Sequence, residues 1–455
     1  MNDITKLLDL EDESIRILEI ATEGDTKTVT LERVPEEHYC PACGCRMHSR
    51  GIKVRTVRHQ ILQDGYRMLL KIRQRRWLCT NPECRYDVSD SFMFVGKSKQ
   101  TTNTTELLVL ESLLDLDKSF TDVGRRHNLT NTQVIGIFEK HVHMKRLPLT
   151  EAVCVDEVYL EMDPHCKYVL VLQDFRTGDA LDLVQSRQNR VTEPYFLNIP
   201  LEERRKVKYL ISDMYNPYIG FVDRYFPNAV SVVDSFHVMQ WILHRIDTFL
   251  RALLREFRAR DQANAEQYAR EHNLPEAHLP VSDEVYLLTH CKWVILKNER
   301  NIEYSEKPHF NSHFGYYMDT YRLEAKFLAI HPDLPRIRDL KEQYVTFNSG
   351  FAGKPLQAAP ELDRLIGIYE ASGLDIFRDF AEMLTSHRQE ILNSFILEER
   401  IIDGEVQLSR LSNGPMESLN RKAKDLKRLA RGFTNFDHLR NRFLFSTRKN
   451  PDFRN

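Results

Sequence analysis

Apolar residues follow two different periods along this chain, and each period predicts a different kind of element. After Pro148, short apolar runs are bounded by turn residues, which is typical of strands. The predicted strands are 152–162, 167–175, 179–187, 207–213 and 229–237. Elsewhere, apolar residues recur every three or four positions, which predicts amphipathic helices. The predicted helices lie in 105–117, 119–146, 241–262 and 374–396.

The order of these strands predicts an α/β fold. The first three strands are separated only by short turns, such as the one at 176–179, so we expect them to pair antiparallel. The last two stand on either side of a helical stretch at 216–226, so we expect them to be buried and parallel. Three antiparallel strands followed by strands that alternate with helices is the order of an RNase H-like sheet. We expect the first part of such a core over 150–237.

The segment 119–146 predicts two short helices with a tight junction. Ser119 and Thr121 can cap the first helix, and 128–131 can form the turn before the second. Such a pair suits a helix-turn-helix DNA-binding domain over 100–147, and an ordinary helical hairpin would show the same pattern. The residues that could face a DNA groove are Thr130, Asn131, Gln133 and Lys140.

Composition restricts the class of protein. The chain has 455 residues, of which 42% are hydrophobic and 10% aromatic, and this excludes the disordered and low-complexity classes. No apolar run approaches the ~20 residues that span a bilayer, and the first residues lack the pattern of a signal peptide. We therefore expect a cytoplasmic protein with no membrane partner.

Charge is nearly balanced over the whole chain, at −2, and strongly segregated along it. Residues 1–37 hold eleven acidic side chains against four basic ones. Residues 46–76 hold ten Lys or Arg and one acid, and residues 421–449 hold ten against two. Two such basic segments could contact a polyanion such as DNA, and solvated surfaces would show the same pattern. In the first of them, the cations that we assign to DNA are Arg73, Arg75 and Arg76.

Cysteine spacing is the most specific signal so far. Cys40 and Cys43 form one close pair, and after 35 residues Cys79 and Cys84 form a second. Paired cysteines at both ends of a short β-rich segment are the ligand pattern of a tetrahedral structural zinc site. The absence of a secretion signal makes disulfide bonds the less suitable interpretation.

A hairpin with its turn at Asp64–Gly65 would bring the two cysteine pairs together. We place this zinc-binding module at 38–95, after an acidic N-terminal segment over 1–37. Cys45 and His48 remain alternative ligands. The other three cysteines stand alone in apolar surroundings, where core residues are expected: Cys154, Cys166 and Cys291.

Three acidic residues occupy comparable places in the predicted α/β sheet. Asp156 interrupts the first strand, and Asp213 and Asp234 each end a later one. Acids at strand ends lie where α/β sheets form their sites, while any one of them could serve only as a helix cap. A fourth acid, Glu417, begins a predicted helix that carries a row of cations. Alone, it could simply stabilise the helix dipole.

In this order, the features resemble a bacterial insertion-sequence transposase, and more narrowly the ISL-three group of DDE transposases. The resemblance rests on the two cysteine pairs, the helix pair, and the segments VDE, ISDMYNPY, VVDSFH and NGPMESLNRKAKDLKRLARGFTNF. It covers about residues 40–445. It implies a catalytic triad of Asp156, Asp213 and Glu417.

The resemblance also implies how the rest of the chain is organised. Asp234 and His237 match an accessory Asp-x-x-His element that follows the fifth strand. Residues 238–410 would form an all-helical insertion, and 411–455 would hold the final catalytic helix and the C-terminal segment. The helical patterns within 241–262 and 374–396 agree with this insertion.

The implied reaction explains these residue types. Two divalent ions, Mg²⁺ or Mn²⁺, held by the three carboxylates would stabilise the attacking and leaving oxygens when a phosphodiester is cut or joined. Cations on the Glu417 helix could neutralise DNA phosphates: Arg421, Lys424 and Arg428. The expected partners are the terminal inverted repeats and target DNA at the nucleoid. Because two ends must be held together, we expect a homodimer or a higher oligomer.

Two other functions remain open at this point. A zinc-dependent DNA-binding regulator derived from a transposase would keep the first 146 residues without catalysis. An RNase H-like, structure-specific nuclease would cut DNA without joining it. The presence of all three acids argues against the regulator, and the two DNA-binding modules argue against the nuclease.

Overall fold

The computed structural model describes residues 12–60, 67–429 and 433–449, together with Lys6, Leu8 and Leu10. The strands are β1 (Ile15–Glu23), β2 (Thr26–Arg33), β3 (Met47–Arg58), β4 (Arg67–Cys79), β5 (Asp87–Ser89), β6 (Ala152–Asp163), β7 (Cys166–Asp174), β8 (Ala180–Val184), β9 (Tyr209–Ser212), β10 (Val230–Val233), β11 (His309–Asn311), β12 (Tyr316–Met318), β13 (Leu397–Ile402) and β14 (Glu405–Arg410).

The helices are α1 (Asn103–Ser112), α2 (Phe120–His127), α3 (Asn131–His141), α4 (Asn189–Leu197), α5 (Leu201–Arg204), α6 (Asn216–Ile219), α7 (Phe221–Tyr225), α8 (Ser235–Glu271), α9 (Asp283–His290), α10 (Trp293–Leu296), α11 (Thr320–Leu328), α12 (Asp333–Gly350), α13 (Pro355–Glu370), α14 (Asp375–Ser386), α15 (Arg388–Asn393), α16 (Gly414–Leu429) and α17 (Phe436–Thr447). The chain divides into two compact units. The first contains Met1–Arg146, Val158–Val169 and Leu419–Asn455, and the second contains Leu147–Glu157 and Leu170–Ser418.

A mixed sheet forms one part of the first unit. Its order is β1-β2-β4-β3, with β5 paired to β4, and β2 runs parallel to β4. Strand β2, which carries Glu32, and the basic strands β3 and β4 therefore share one sheet. Strands β3 and β4 pair antiparallel, as a hairpin requires, while the predicted turn at Asp64–Gly65 lies outside the described residues.

Helices α1 to α3 form the helical part of the first unit, within the segments where the sequence predicted helices. Ser119 caps α2 and Thr130 caps α3, and both belong to capping boxes. Asn128 follows α2 in the left-handed conformation, with φ 54°, which makes the tight junction. The buried Arg442 of α17 donates a hydrogen bond to the carbonyl oxygen of Leu113, so α17 is bound to the end of α1.

The second unit contains an α/β sheet with the order β10-β9-β6-β7-β8. Strand β9 pairs parallel with β6 and with β10, and β7 pairs antiparallel with β8. These strands coincide with the five that the sequence predicted, because each contains a run of buried apolar residues. The core beside them includes Val153, Leu210 and Phe196.

A second core, in the same unit, is built mainly by helices. Side chains from the first half of α8 pack with residues of α12 to α14, among them Ile242, Tyr344 and Phe380. None of the helices in the described part of the chain combines the length and the hydrophobicity that a membrane-spanning helix needs.

The expectation of an all-helical insertion over 238–410 was wrong, because two β-hairpins interrupt it. Strands β11 and β12 pair antiparallel, and β13 pairs antiparallel with β14. In the second hairpin, Asp403 and Gly404 have φ angles of 52° and 88°. Two consecutive positive φ angles are what a two-residue hairpin turn requires, and Asp-Gly accepts them readily.

Candidate active site and metal centre

Acidic side chains lie in a row across three neighbouring strands of the α/β sheet. Strand β9 runs parallel to β6 and β10, and Asp213 directly follows it. In the first ladder Cys154 pairs with Ile211, so Asp156 lies level with Asp213, two residues further along each strand. In the second ladder the last residues of β10 and β9 pair, so Asp234 lies level with Asp213 on the other side. The strand register therefore places these three acids at one edge.

Asp156 is a mostly buried carboxyl whose ionisation is disfavoured. Burial raises the pKa of Asp156 to about 6, and the negative charges of Glu157 and Asp213 act in the same direction. The backbone N–H of Glu157, 2.8 Å from Asp156 Oδ1, and the charge of His237 lower it. A desolvated carboxyl close to other acids is stabilised by any cation that enters the site.

Asp213 and His237 line one open cavity of about 840 Å³. Asp213 Oδ1 accepts a hydrogen bond from the backbone N–H of Tyr215 at 3.0 Å, which fixes the turn before α6. Pro217 stands at the start of that helix, where proline is favoured. His237 lies in the first turn of α8 and faces the same cavity.

Asp234 is buried and serves as the N-cap of α8. Its side chain accepts a hydrogen bond from the backbone N–H of Phe236 at 3.1 Å, and the N–H of His237 donates to its backbone carbonyl at 3.0 Å. This cap sets the direction in which α8 leaves the sheet, and with it the position of His237. The contacts given by the structure therefore support a positioning role for Asp234.

Glu417 is an exposed residue in the first turn of α16. Two contacts attach the residues before it to β6. Asn413 Nδ2 donates to the carbonyl oxygen of Val155 at 3.1 Å, and Cys154 Sγ donates to the carbonyl oxygen of Ser412 at 3.8 Å. The start of the Glu417 helix is thus bound to the strand segment that directly precedes Asp156.

The acids of the sheet edge are less closely gathered than the cysteines. Within the described residues, the cysteine cluster alone brings three or more Cys, His, Asp or Glu ligand atoms all within 4.8 Å of one another. The carboxylates of Asp156, Asp213 and Glu417 therefore do not all approach that closely. The register and the two contacts above bring their backbones together, and their side chains leave an open arrangement.

Glu157 lies beside the candidate site, although nothing in its sequence context indicates this. Its two carboxylate oxygens accept hydrogen bonds from Arg187 Nη1 at 2.7 Å and from the Tyr218 hydroxyl at 2.6 Å. Burial raises the pKa of Glu157, and the charge of Asp213 raises it further. The guanidinium of Arg187 lies 4.9 Å from the ring centroid of Tyr215, beside the turn that holds Asp213.

Glu157 thus connects β6 to the turn that carries Asp213. Sequence alone argues against Glu157 as a partner of Asp156, because neighbouring residues of a strand point to opposite faces. The signal available in the sequence was the pair of tyrosines in ISDMYNPY, but nothing there identifies which acid they contact.

The four predicted zinc ligands come together in the first unit. Cys40 Sγ lies 3.7 Å from Cys84 Sγ, and Cys43 Sγ lies 3.4 Å from Cys79 Sγ. Four sulfurs that each bind a central Zn²⁺ at about 2.3 Å would be about 3.8 Å apart in a tetrahedron. The separations therefore fit that geometry, and the alternative ligands Cys45 and His48 lie outside the cluster.

The thiols of the cluster differ in how readily they lose a proton. The backbone N–H of Cys45 and the thiol of Cys79 lower the pKa of Cys43 to about 6. Burial raises the pKa of Cys79 to about 12, so that this thiol keeps its proton until a positive charge is present. Trp77 packs against the cluster, and its indole N–H donates to Asp90 at 2.7 Å.

The cations predicted to bind DNA on β4 already have acidic or aromatic partners. Arg73 Nε lies 3.3 Å from the Glu32 carboxylate of β2, and Arg76 Nη2 lies 2.8 Å from the Asp87 carboxylate. The Arg75 guanidinium lies 5.7 Å from an indole ring centroid. Two acidic residues of the same sheet, Glu32 and Asp87, therefore neutralise part of the charge that the sequence concentrates here.

The polar residues predicted to read DNA from α3 differ in how they are used. Thr130 and Gln133 form the capping box of α3, each accepting from the backbone N–H of the other. Asn131 is exposed, and Lys140 Nζ lies 3.5 Å from the Glu106 carboxylate. Asn131 is thus the member of this set whose side chain takes no part in the capping box or in the ion pair with Glu106.

The cations predicted to contact phosphates on α16 are exposed. Arg421, Lys424 and Arg428 all have exposed side chains, and Arg428 Nη1 lies 3.5 Å from Asp425 one turn earlier. Their spacing of three and four residues places them on one side of the helix. The structure therefore leaves this row accessible to a ligand in solution.

Comparison with known proteins identifies the second unit. A family model described as a transposase, for the ISL-three (ISL3) group of DDE enzymes, matches residues 153–443. The match includes the three strands of the acidic edge and the Glu417 helix. No curated protein matches the chain.

Proposed function

Since the chain belongs to the ISL-three family of transposases, we propose that it binds the terminal inverted repeats of an insertion sequence. We further propose that it cleaves these ends and transfers them to target DNA at the acidic edge of the α/β sheet. In this proposal the sheet is the core of an RNase H-like domain over 150–237 and 411–455, interrupted by 238–410.

One observation carries the catalytic part of the proposal. The register of the β6–β9 ladder brings Asp156 level with Asp213, and contacts from Asn413 and Cys154 bind the start of the Glu417 helix to β6. Three acids that lie far apart in the sequence thus come to one edge of one sheet. Carboxylate oxygens are the ligands that Mg²⁺ and Mn²⁺ prefer.

The residues of the edge have three roles in this proposal: binding metal, positioning His237 and holding the turn at Asp213. Asp156, Asp213 and Glu417 would hold the divalent ions, which when bound stabilise charge on the oxygens of the scissile phosphate. Asp234 caps α8 and so positions His237, which can donate a hydrogen bond to a phosphate oxygen in the cavity. Glu157, with Arg187 and Tyr218, holds the turn that carries Asp213.

The first unit supplies DNA recognition in this proposal. A structural zinc ion bound by the four cysteines would stabilise the module over 38–95, and α2 with α3 would form the helix-turn-helix over 100–147. In this proposal Asn131 contacts the bases, and the exposed cations of α16 contact the phosphates. Cleavage of two ends in one reaction requires at least two active sites, so we propose a dimer or a higher oligomer acting at the nucleoid.

The test is cleavage of a duplex that carries one end of the element, in Mg²⁺ or Mn²⁺. We expect the wild type to cut at the element boundary and the variants Asp156→Asn, Asp213→Asn and Glu417→Gln to lose at least about 10³-fold in rate while they still bind the end. Asp223→Asn removes an exposed carboxylate of α7 and serves as the matched control. It should cut like the wild type.

Two outcomes would replace the proposal with one of its alternatives. A wild type that binds the end but never cuts it with any divalent ion would be a DNA-binding regulator. Cleavage without any joining of the cut end to a second DNA would indicate a nuclease.

A further inference from the structure

Helix α8 presents one long face to solvent that begins inside the candidate active site. The helix has 37 residues and a length of about 55 Å. Its buried residues, among them Ile242, Ile246 and Leu250, all lie on one side and pack into the helical core. The opposite side, which we name the cationic face, includes His237, His244, Thr248, Arg251, Arg255 and Arg258.

The first part of the cationic face is continuous with the acidic edge. His237, Gln240 and His244 line the same cavity as Asp213. From His244 onward, the side chains of the face are exposed. Because a helix rises about 1.5 Å per residue, the face leads from His237 to Arg258 over about 32 Å.

The charge of this face is mainly positive. At about 100° per residue, His237, His244, Arg251, Arg255 and Arg258 project within about 40° of one direction, opposite the buried side. Residues 237–262 are all described, and within that sector they include no Asp or Glu. Asp247 lies just beside the sector, where it pairs with Arg251 at 2.6 Å, and Glu256 and Asp261 lie further from it.

Arg255 and Arg258 differ from three other arginines of the same helix. Arg251, on the same face, lies 2.6 Å from Asp247. Arg245 lies 3.3 Å from Asp379, and Arg260 lies 3.0 Å from Glu284, so both are used to attach α8 to its neighbours. Arg255 and Arg258 form no ion pair with any residue in the described ranges. Their charges therefore form no ion pair that would attach α8 to the described part of the chain.

We propose that the cationic face of α8 binds the sugar–phosphate backbone of the DNA duplex that leaves the active site. The inference rests on the proposed function, because it takes the cavity at Asp213 and His237 as the place where the scissile phosphate lies. Duplex DNA carries a phosphate every 3.4 Å along each strand, so a face of about 32 Å spans close to ten base pairs. Arginine suits this task because its guanidinium pairs with phosphate oxygens through two hydrogen bonds.

The experiment compares two double variants of the full-length protein on two duplexes. Arg255→Ala/Arg258→Ala removes two charges from the cationic face. Arg364→Ala/Arg378→Ala removes two exposed charges from α13 and α14, each of which has an acidic partner one turn away. Both duplexes carry the same element end, and they extend either about 15 or about 2 base pairs beyond the cleavage site.

On the long duplex, we expect the cationic-face variant to bind at least about tenfold more weakly than the wild type. Two lost phosphate contacts should also reduce the slope of log affinity against log salt by about 1.8. On the short duplex the same variant should differ from the wild type by less than about twofold, and the control variant should match the wild type on both. Arg255→Lys/Arg258→Lys should recover most of the affinity, because it restores the charge.

Equal affinities and equal salt slopes for the cationic-face and control variants, with a wild type that still cuts, would overturn this inference and leave the proposed function intact. That result would also follow if the face bound an acidic protein surface. A wild type that neither binds nor cuts the element end would instead refute the proposed function, and the inference with it.

Discussion

The cysteine cluster and the acidic edge are both groups of metal-ligand residue types, and the fold brings them together to different degrees. The four sulfur atoms of the cluster all lie within 4.8 Å of one another, whereas Asp156, Asp213 and Glu417 do not form such a group. The sulfur atoms pack closely, and Trp77 packs against them. Carboxylates repel one another, and Glu417 is exposed at the start of a helix.

This difference separates two uses of a metal. A closed set of four ligands leaves no position for a substrate, so an ion there can only stabilise the fold. An open set of acids with a cavity beside it leaves room for a phosphate and for water. We therefore expect metal removal to unfold part of the first unit and to stop chemistry, without unfolding, in the second.

The largest expected effect is on the closed site. We expect the wild type to carry about one zinc ion per chain. Cys79→Ser removes one buried ligand, so this variant should lose the ion, and its module over 38–95 should unfold. Metal content and proteolysis of that segment are the measurements. Cys45→Ser is the matched control, since Cys45 adjoins the cluster without belonging to it. Full zinc content in the Cys79→Ser protein would show that the assignment is wrong.

A smaller effect is expected from Glu157, which holds the turn that carries Asp213 in the open site. Glu157→Gln takes the negative charge away from Arg187 and loosens the turn that carries Asp213. Residues that orient metal ligands typically contribute about 10- to 100-fold, so cleavage should fall by this factor and require more Mg²⁺. The readout is rate against Mg²⁺ concentration. In the control Glu151→Gln, which breaks an exposed ion pair with Lys208, the curve should not move. An identical curve for Glu157→Gln would remove this residue from the site.

The smallest expected effect is a pH dependence of ion binding at the acidic edge. The pKa of Asp156 is raised to about 6, mainly by burial, so the carboxylate that attracts a cation is lost as the pH falls through that value. At pH 5 about a tenth of this group is ionised, and Mn²⁺ affinity should be about tenfold lower than at pH 7. Calorimetric titration with Mn²⁺ measures this. An affinity that stays constant from pH 7 to pH 5 would contradict the account.

Sequence reasoning succeeded where a pattern is local. The five apolar runs between 150 and 237 became β6 to β10, and the cysteine spacing identified the cluster. In both cases the information lies within a few residues, in alternation, in turn residues or in a short spacing. The acids at the strand ends were visible for the same reason.

Sequence reasoning failed where the role of a residue depends on which side chains pack against it. Nothing in the chain near Glu157 reveals that Arg187 and Tyr218 will contact it, or that Glu32 will neutralise Arg73. The expectation of an all-helical insertion missed the hairpin at Asp403–Gly404, although Asp-Gly is a local turn signal. Register and partner choice are properties of the folded chain, so the candidate site could be located from the sequence but not completed.

The most direct test of the central claim is to locate the divalent ions. Crystals of the full chain with an element-end duplex and Mn²⁺ would give anomalous scattering peaks at each bound ion. The account predicts peaks in contact with Asp156 and Asp213, with Glu417 completing the site once DNA is bound. Manganese bound elsewhere on the second unit, next to the cut strand and away from these three residues, would contradict it.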